Sequence, residues 1–179
     1  SFTTPHNPSG RIFSIADCEA ALACMAEVCP DAYLVVDESY RETVFGDVAA
    51  PPSAAPLSPK VITSASVSKC HGAPGLRIGW LSCLDEALFE QLALAKLNTV
   101  LSCSVVDELL ALEVLRRKET LFGERRQALS VALDKVAAWI ETQRDFVDWV
   151  RPDGGALCCI RLRPDVYSDA DVDAFFLEL

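Results

Sequence analysis

Three short segments carry residue types that can do chemistry: "TTPHNPSG" (3–10), "LVVDESY" (34–40) and "ITSASVSKCHGAPGLRIGW" (62–80). In the third, Lys69 follows a run of small and hydroxyl residues and precedes Gly72, Pro74 and Gly75, which no helix interior favours. A lysine amine is a nucleophile only when deprotonated, and with an ordinary pKa of about 10.4 it is almost wholly protonated at neutral pH. Burial at a strand end beside a cationic neighbour would lower that value. Taken singly, each segment also has a plain explanation. Asn7-Pro8-Ser9-Gly10 makes a good turn, Asp37 and Glu38 a solvated pair, Tyr40 a half-buried tyrosine, and Lys69 and Arg77 surface charges. Ser66-Val67-Ser68-Lys69 also spells the S-x-x-K motif of serine acylation. There the serine opens a helix, which the glycines and proline here forbid, and no S-D-N or K-T-G follows.

The elements that must position these residues follow from periodicity. Ser14 with Asp17 three positions on predicts a helix start, and Ile15, Leu22, Met25, Ala26 and Cys29 mark one apolar face until Pro30. Tyr33 to Val36 is a continuously apolar, β-branched run that predicts a strand buried on both faces, with Asp37 just past its carboxyl end. Residues 47–60 read as a Pro/Ala-rich surface loop. A second strand begins at Val61 to Ser64, and a third spans Leu76 to Cys83. Helical patterns follow from Glu86 to Asn98, from Ser104 (with Asp107 as a capping box) to Lys118, and from Leu121 to Gln143. "FVDWV" (146–150) and "ALCCIRL" (156–162) predict two strands around a Pro152–Gly155 turn, and Ser168 with Asp171 caps a last helix that reaches Leu179. Alternating strands and helices predict an α/β fold with a mainly parallel sheet flanked by helices, whose ligands bind outside the carboxyl ends of the strands. The expected division is 1–120 as part of a large domain, 121–143 as a connecting helix and 144–179 as the start of a small α+β domain.

Composition narrows the function. The 179 residues are 51% hydrophobic, enough for one sizeable core. A formal charge of −10 without a Lys/Arg run argues against nucleic-acid binding. Eight cysteines form no CxxC pair and the two histidines lie far apart, so neither a disulfide scaffold nor a zinc site is expected. Most of the cysteines read as small buried hydrophobes in a reducing cytosol. No signal peptide or membrane-spanning run is apparent. The chain opens at Ser1, inside a motif, and stops within a helical pattern, so it reads as a piece of a longer protein with open sheet edges, inactive alone.

Together the segments resemble one family. Asn-Pro-x-Gly, then Asp-x-x-Tyr after an apolar strand, then Ser-x-Ser-Lys and Gly-Leu-Arg-x-Gly, is similar in order to the fold-type I pyridoxal 5'-phosphate (PLP) enzymes of the class I/II aminotransferase group. The resemblance covers residues 3–83 by motif and, more weakly, "PDGGALCCIRL". It implies that Lys69 forms a Schiff base with PLP and moves a proton, and that Asp37 holds the pyridinium nitrogen. It further implies that Asn7 and Tyr40 donate to the phenolic oxygen, and that Arg77 with Ser66 or Ser68 binds the phosphate. The Gly72–Gly75 bend then returns the chain to that phosphate, and the Asn7–Pro8 bond is expected to be cis.

The implied reaction moves an amino group between a small-molecule amino acid and a 2-oxo acid in a cytoplasmic homodimer, with no nucleic-acid or membrane partner. β-Elimination, decarboxylation, cyclisation or racemisation on the same cofactor, or an effector-sensing domain of a transcription regulator, are the alternatives. Cys70 and His71 stand where relatives often carry Thr and an aromatic, and His71 is expected to be a packing or surface variant. The family's upstream phosphate turn, ring-stacking aromatic and downstream substrate-carboxylate arginine have no counterpart in these residues.

Overall fold

The computed structural model describes residues 1–46 and 48–177, so Asp47 of the expected 47–60 loop and the last two residues, up to Leu179, fall outside it. Four strands, β1 (Phe2–Thr3), β2 (Leu34–Asp37), β3 (Val61–Ser66) and β4 (Gly79–Cys83), form one sheet in that spatial order. β1, β2 and β3 are parallel, with Val36 opposite Thr63 and Asp37 opposite both Ser64 and Thr3. β4 runs antiparallel to β3. Around and after the sheet come α1 (Ile15–Val28), α2 (Glu86–Thr99), α3 (Val105–Arg116) and α4 (Lys118–Thr142). An antiparallel pair, β5 (Val147–Trp149) with β6 (Ile160–Leu162), and α5 (Asp169–Leu177) complete the chain. The fold is α/β with a mainly parallel sheet.

α1 starts where its capping chemistry dictates. The Asp17 N–H donates to Ser14 Oγ at 3.2 Å, and the Ser14 N–H donates to the Asp17 carboxylate at 2.7 Å. Cys18, Ala21, Leu22 and Met25 form its inward stripe and pack with Phe2, Leu34, Val36 and Val61. Ala26 and Cys29, which the apolar pattern includes, are exposed. The same one-sided cover corrects the expectation for β2. Leu34 and Val36 are buried, but Val35 between them is 38% exposed, because α1 covers only the face that Leu34 and Val36 share.

Other boundaries move for physical reasons. The third strand starts at Gly79 because Pro74–Leu76 form a 3-10 turn and Arg77 takes a left-handed conformation, φ 55°. α4 is one continuous helix from Lys118, separated from α3 only at Arg117. Around 47–60, the surface reading fails at Ala54, which is buried, and at Leu57, which packs on the core. Only Cys18 and Cys70 of the eight cysteines are buried; Cys24 and Cys29 lie on the solvent side of α1, and no disulfide forms. β5 and β6 are shorter than expected because the turn between them turns away to bond elsewhere: the Gly155 N–H donates to Thr43 O at 2.7 Å. Among the described residues no helix is long and apolar enough to cross a membrane.

Candidate active site

The carboxyl ends of β2 and β3 carry the first reactive groups. Asp37 is the last residue of β2; its Oδ1 accepts the Ser39 N–H at 2.9 Å, which fixes the carboxylate at the strand end. Glu38, the next residue, faces the other way. It is 6% exposed and accepts the Ser53 hydroxyl at 3.0 Å and the Ala54 N–H at 2.7 Å, while Arg41 Nε lies 3.3 Å from its other oxygen. Sequence reasoning gave Glu38 no role; it ties the Pro/Ala-rich segment to the end of β2. A buried carboxylate bonded this fully is a structural anchor.

Lys69 stands three residues beyond β3. Its ammonium lies 5.9 Å from the centroid of the half-buried Tyr40 ring, within cation–π range. The expected burial of Lys69 does not hold: the side chain is exposed, because the turn that carries it runs past the strand ends. The turn itself is firmly built. The Gly72 N–H donates to Lys69 O at 3.1 Å and the Ala73 N–H to Val67 O at 2.9 Å, with Val67 fully buried. Cys70 joins the turn to the segment after β2. Its thiol donates to Ser39 O at 2.9 Å and accepts the Thr43 hydroxyl at 3.3 Å, and burial pushes its pKa up. His71 is a buried packing residue, 5.0 Å from the Phe122 ring and 6.3 Å from Trp80 by centroids, and burial pushes its pKa down.

The β3–β4 reversal brings Arg77 back beside the serines. Ser66 pairs with Gly79, and the Val67 N–H donates to Ile78 O at 3.1 Å, so Arg77 lies in the turn just before β4, at the same end of the strand pair as Ser66 and Ser68. A Cβ on Gly79 would lie 2.9 Å from Ala65 O, so glycine permits this close pairing. The Ser68 N–H donates to Ser66 Oγ at 3.3 Å, and the exposed Arg77 guanidinium donates to Pro74 O at 2.9 Å.

Asn7 is exposed on a loop closed by bonds from the Gly10 N–H to His6 O and from the His6 N–H to Arg11 O, both 2.7 Å. The Asn7–Pro8 bond is cis, and so is Thr4–Pro5. A narrow crevice is lined by Asn7, Tyr40, Gly155 and Ala156 among others. The structure thus gathers Asn7 with Tyr40, Tyr40 with Lys69, and Ser66, Ser68 and Arg77 at one reversal, with Asp37 on the adjacent strand end. Two features escaped sequence reasoning, the Cys70 tie and the Glu38 anchor. A cysteine and a carboxylate next to the candidate residues are the only signals that could have pointed to them.

Residues 1–176 match the family model described as aminotransferase class I and II. The chain belongs to this family. An arginine–pyruvate transaminase, AruH, of Pseudomonas aeruginosa is 27% identical over 179 residues, spanning 92% of this chain and 41% of the relative. A histidinol-phosphate aminotransferase of Streptomyces avermitilis is 33% identical over 139 residues, 76% of this chain and 35% of its own length. Among solved structures, the PLP-dependent cyclase OrfR superposes with a TM-score of 0.80 at 26% identity, over 98% of this chain and 46% of that one. This aminotransferase-family chain therefore spans less than half the length of these relatives.

Proposed function

We propose that the protein carrying this chain is a PLP-dependent aminotransferase that moves an amino group between an amino acid and a 2-oxo acid, with Lys69 as the residue that binds the cofactor covalently and moves the proton. The observation that carries this reading is a carboxylate and a hydroxyl at the carboxyl ends of the parallel strands β2 and β3, with an amine over a phenol and a guanidinium and second hydroxyl in the turns just beyond them, in a chain of the aminotransferase family. The donor set fits PLP group by group. Lys69 supplies an accessible amine; Asp37 supplies a carboxylate already oriented by Ser39; Arg77, Ser66 and Ser68 supply donors for a phosphate.

When bound, PLP serves as an electron sink for the carbon next to the transferred nitrogen. Every other task falls to the chain. The Asp37 carboxylate stabilises a protonated ring nitrogen. The Tyr40 hydroxyl and Asn7 amide donate to the phenolic oxygen, Arg77 with Ser66 and Ser68 holds the phosphate, and the Lys69 amine takes and returns one proton. In this reading residues 1–120 belong to the cofactor-binding domain, 121–143 connect, and 144–179 begin a second domain. The complete enzyme would act in the cytoplasm as a homodimer.

The likeness to OrfR favours one second reading, cyclisation of an amino acid on the same cofactor. The test is to incubate the complete, PLP-loaded protein with a panel of amino acids led by arginine, with pyruvate as acceptor. Formation of alanine with the matching 2-oxo acid supports transamination. A cyclised product without alanine supports the second reading, and no turnover of any amino acid contradicts both.

A further inference from the structure

The two residues assigned to the phenolic oxygen sit on different segments, Asn7 before α1 and Tyr40 after β2, and something must fix the distance between them. The Pro152–Gly155 turn lies against both. The Asp153 and Gly154 N–H groups donate to Gly10 O at 2.9 and 3.0 Å, and Arg11 Nη1 lies 3.2 Å from the Asp153 carboxylate. On the other side Gly154 forms a β-bridge with Val44, the Phe45 N–H donates to Asp153 O at 3.3 Å, and the Gly155 N–H donates to Thr43 O at 2.7 Å. The Thr43 N–H in turn donates to Tyr40 O at 2.8 Å, which completes the link to the tyrosine.

Gly154 is the thinnest point of this contact. A Cβ there would lie 2.5 Å from Thr43 O and 2.7 Å from Pro5 Cγ, one atom from each segment. Its own φ lies outside the left-handed region, unlike those of Gly10 and Gly155, so glycine is required at 154 for space alone. Pro5, Pro152 and Gly154 are all buried, so the contact has little room to yield.

We propose that the Pro152–Gly155 turn, wedged between the two segments through Gly154, sets the spacing of Asn7 and Tyr40, and that Gly154 is a positioning residue for the oxygen-binding pair. This rests on the PLP reading above. A turn about 145 residues away in sequence would thereby tune a site built by β2 and the first ten residues. Donors aimed at the phenolic oxygen draw charge from it and weaken its hold on a nearby proton. Spreading them apart strengthens that hold.

The test uses the complete protein and Gly154→Ala, with Pro152→Ala, which only removes atoms, as the second variant should the first not fold. Two readouts are taken. In cofactor-free protein, hydrogen exchange of the amides at 6–10 and 43–45 should quicken at least about threefold in the variant, with exchange in α2 unchanged. In PLP-loaded protein, the pH midpoint of the visible band should rise by about half a unit or more. Leu133→Ala, a buried change in α4, is the control for general loss of stability and should move neither. Wild-type exchange and a wild-type midpoint in the folded variant overturn the wedge while leaving the PLP reading intact. Absence of any visible band in the wild type overturns the PLP reading, and with it the role given to Gly154.

Discussion

The Lys69 ammonium lies 5.9 Å from the centre of the Tyr40 ring, although 29 positions separate the two residues in the chain. The parallel pairing of β2 with β3 brings them together, and the bond from Cys70, next to Lys69, to the carbonyl of Ser39, next to Tyr40, ties the two segments. If the Tyr40 hydroxyl donates to an ionised oxygen of PLP, Tyr40→Phe removes one charge-assisted hydrogen bond and keeps the ring under Lys69. The expected loss is about 1.5–3 kcal/mol of cofactor binding, roughly a 10- to 100-fold rise in Kd. Spectroscopic titration of the complete protein with PLP checks it, and an unchanged Kd would remove Tyr40 from the site.

Glu38 should matter for stability. Glu38→Ala leaves the buried Ala54 N–H without its acceptor and takes one partner from the half-buried Arg41, which keeps Glu42 and Pro51 O, at an expected cost of about 2–3 kcal/mol. Glu38→Gln keeps an acceptor and should cost about 1–2 kcal/mol. Urea unfolding of the two variants measures the difference, and a loss under about 1 kcal/mol for the alanine would show that the anchor contributes little.

His71 should impose an acid limb on stability. Burial lowers its folded pKa below the ordinary 6.5, so above that pH both states hold a neutral imidazole. Below it the unfolded chain takes up a proton that the folded chain resists, and stability falls as the pH drops from 6.5 towards the lowered value. His71→Phe keeps the packing on Phe122 and Trp80 without a titrating group. Its loss of stability between pH 7.5 and 5.5 should be smaller than that of the wild type, and equal losses in chemical denaturation would contradict the assignment.

What the sequence disclosed and what it hid divide by range. α1 was legible because Ser14 and Asp17 cap it within one turn, and β2 because Leu34 to Val36 is a local run. β1 was not, since its two residues carry no periodicity and are a strand only by pairing with Val36 and Asp37. The candidate residues form an ordered set of motifs in the sequence, and the structure puts them at or a few residues beyond strand ends. Their supports were hidden because each depends on a distant contact: Glu38 on Ala54, Cys70 on Ser39 and Thr43, Gly10 on the 152–155 turn. The exposure of Val35 was hidden for a related reason, since a continuously apolar strand does not reveal which of its faces the chain covers.

The phosphate end yields a further expectation. Gly79→Ala would place a Cβ 2.9 Å from Ala65 O and 3.2 Å from the Ser66 Cβ, pushing β4 off β3 at Ser66, two residues from Arg77. Binding of PLP should weaken more than binding of pyridoxal, which lacks the phosphate. Equal weakening, measured by titration with both compounds, would place the phosphate elsewhere.

PLP is expected to join the protein at Lys69. Reducing the complete, PLP-loaded protein with borohydride and mapping its peptides by mass spectrometry tests it most directly. The expected result is a pyridoxyl group on Lys69, lost in Lys69→Ala together with the visible band. A pyridoxyl group on Lys60, Lys96, Lys118 or Lys135 with Lys69 unmodified, or none at all, would contradict it.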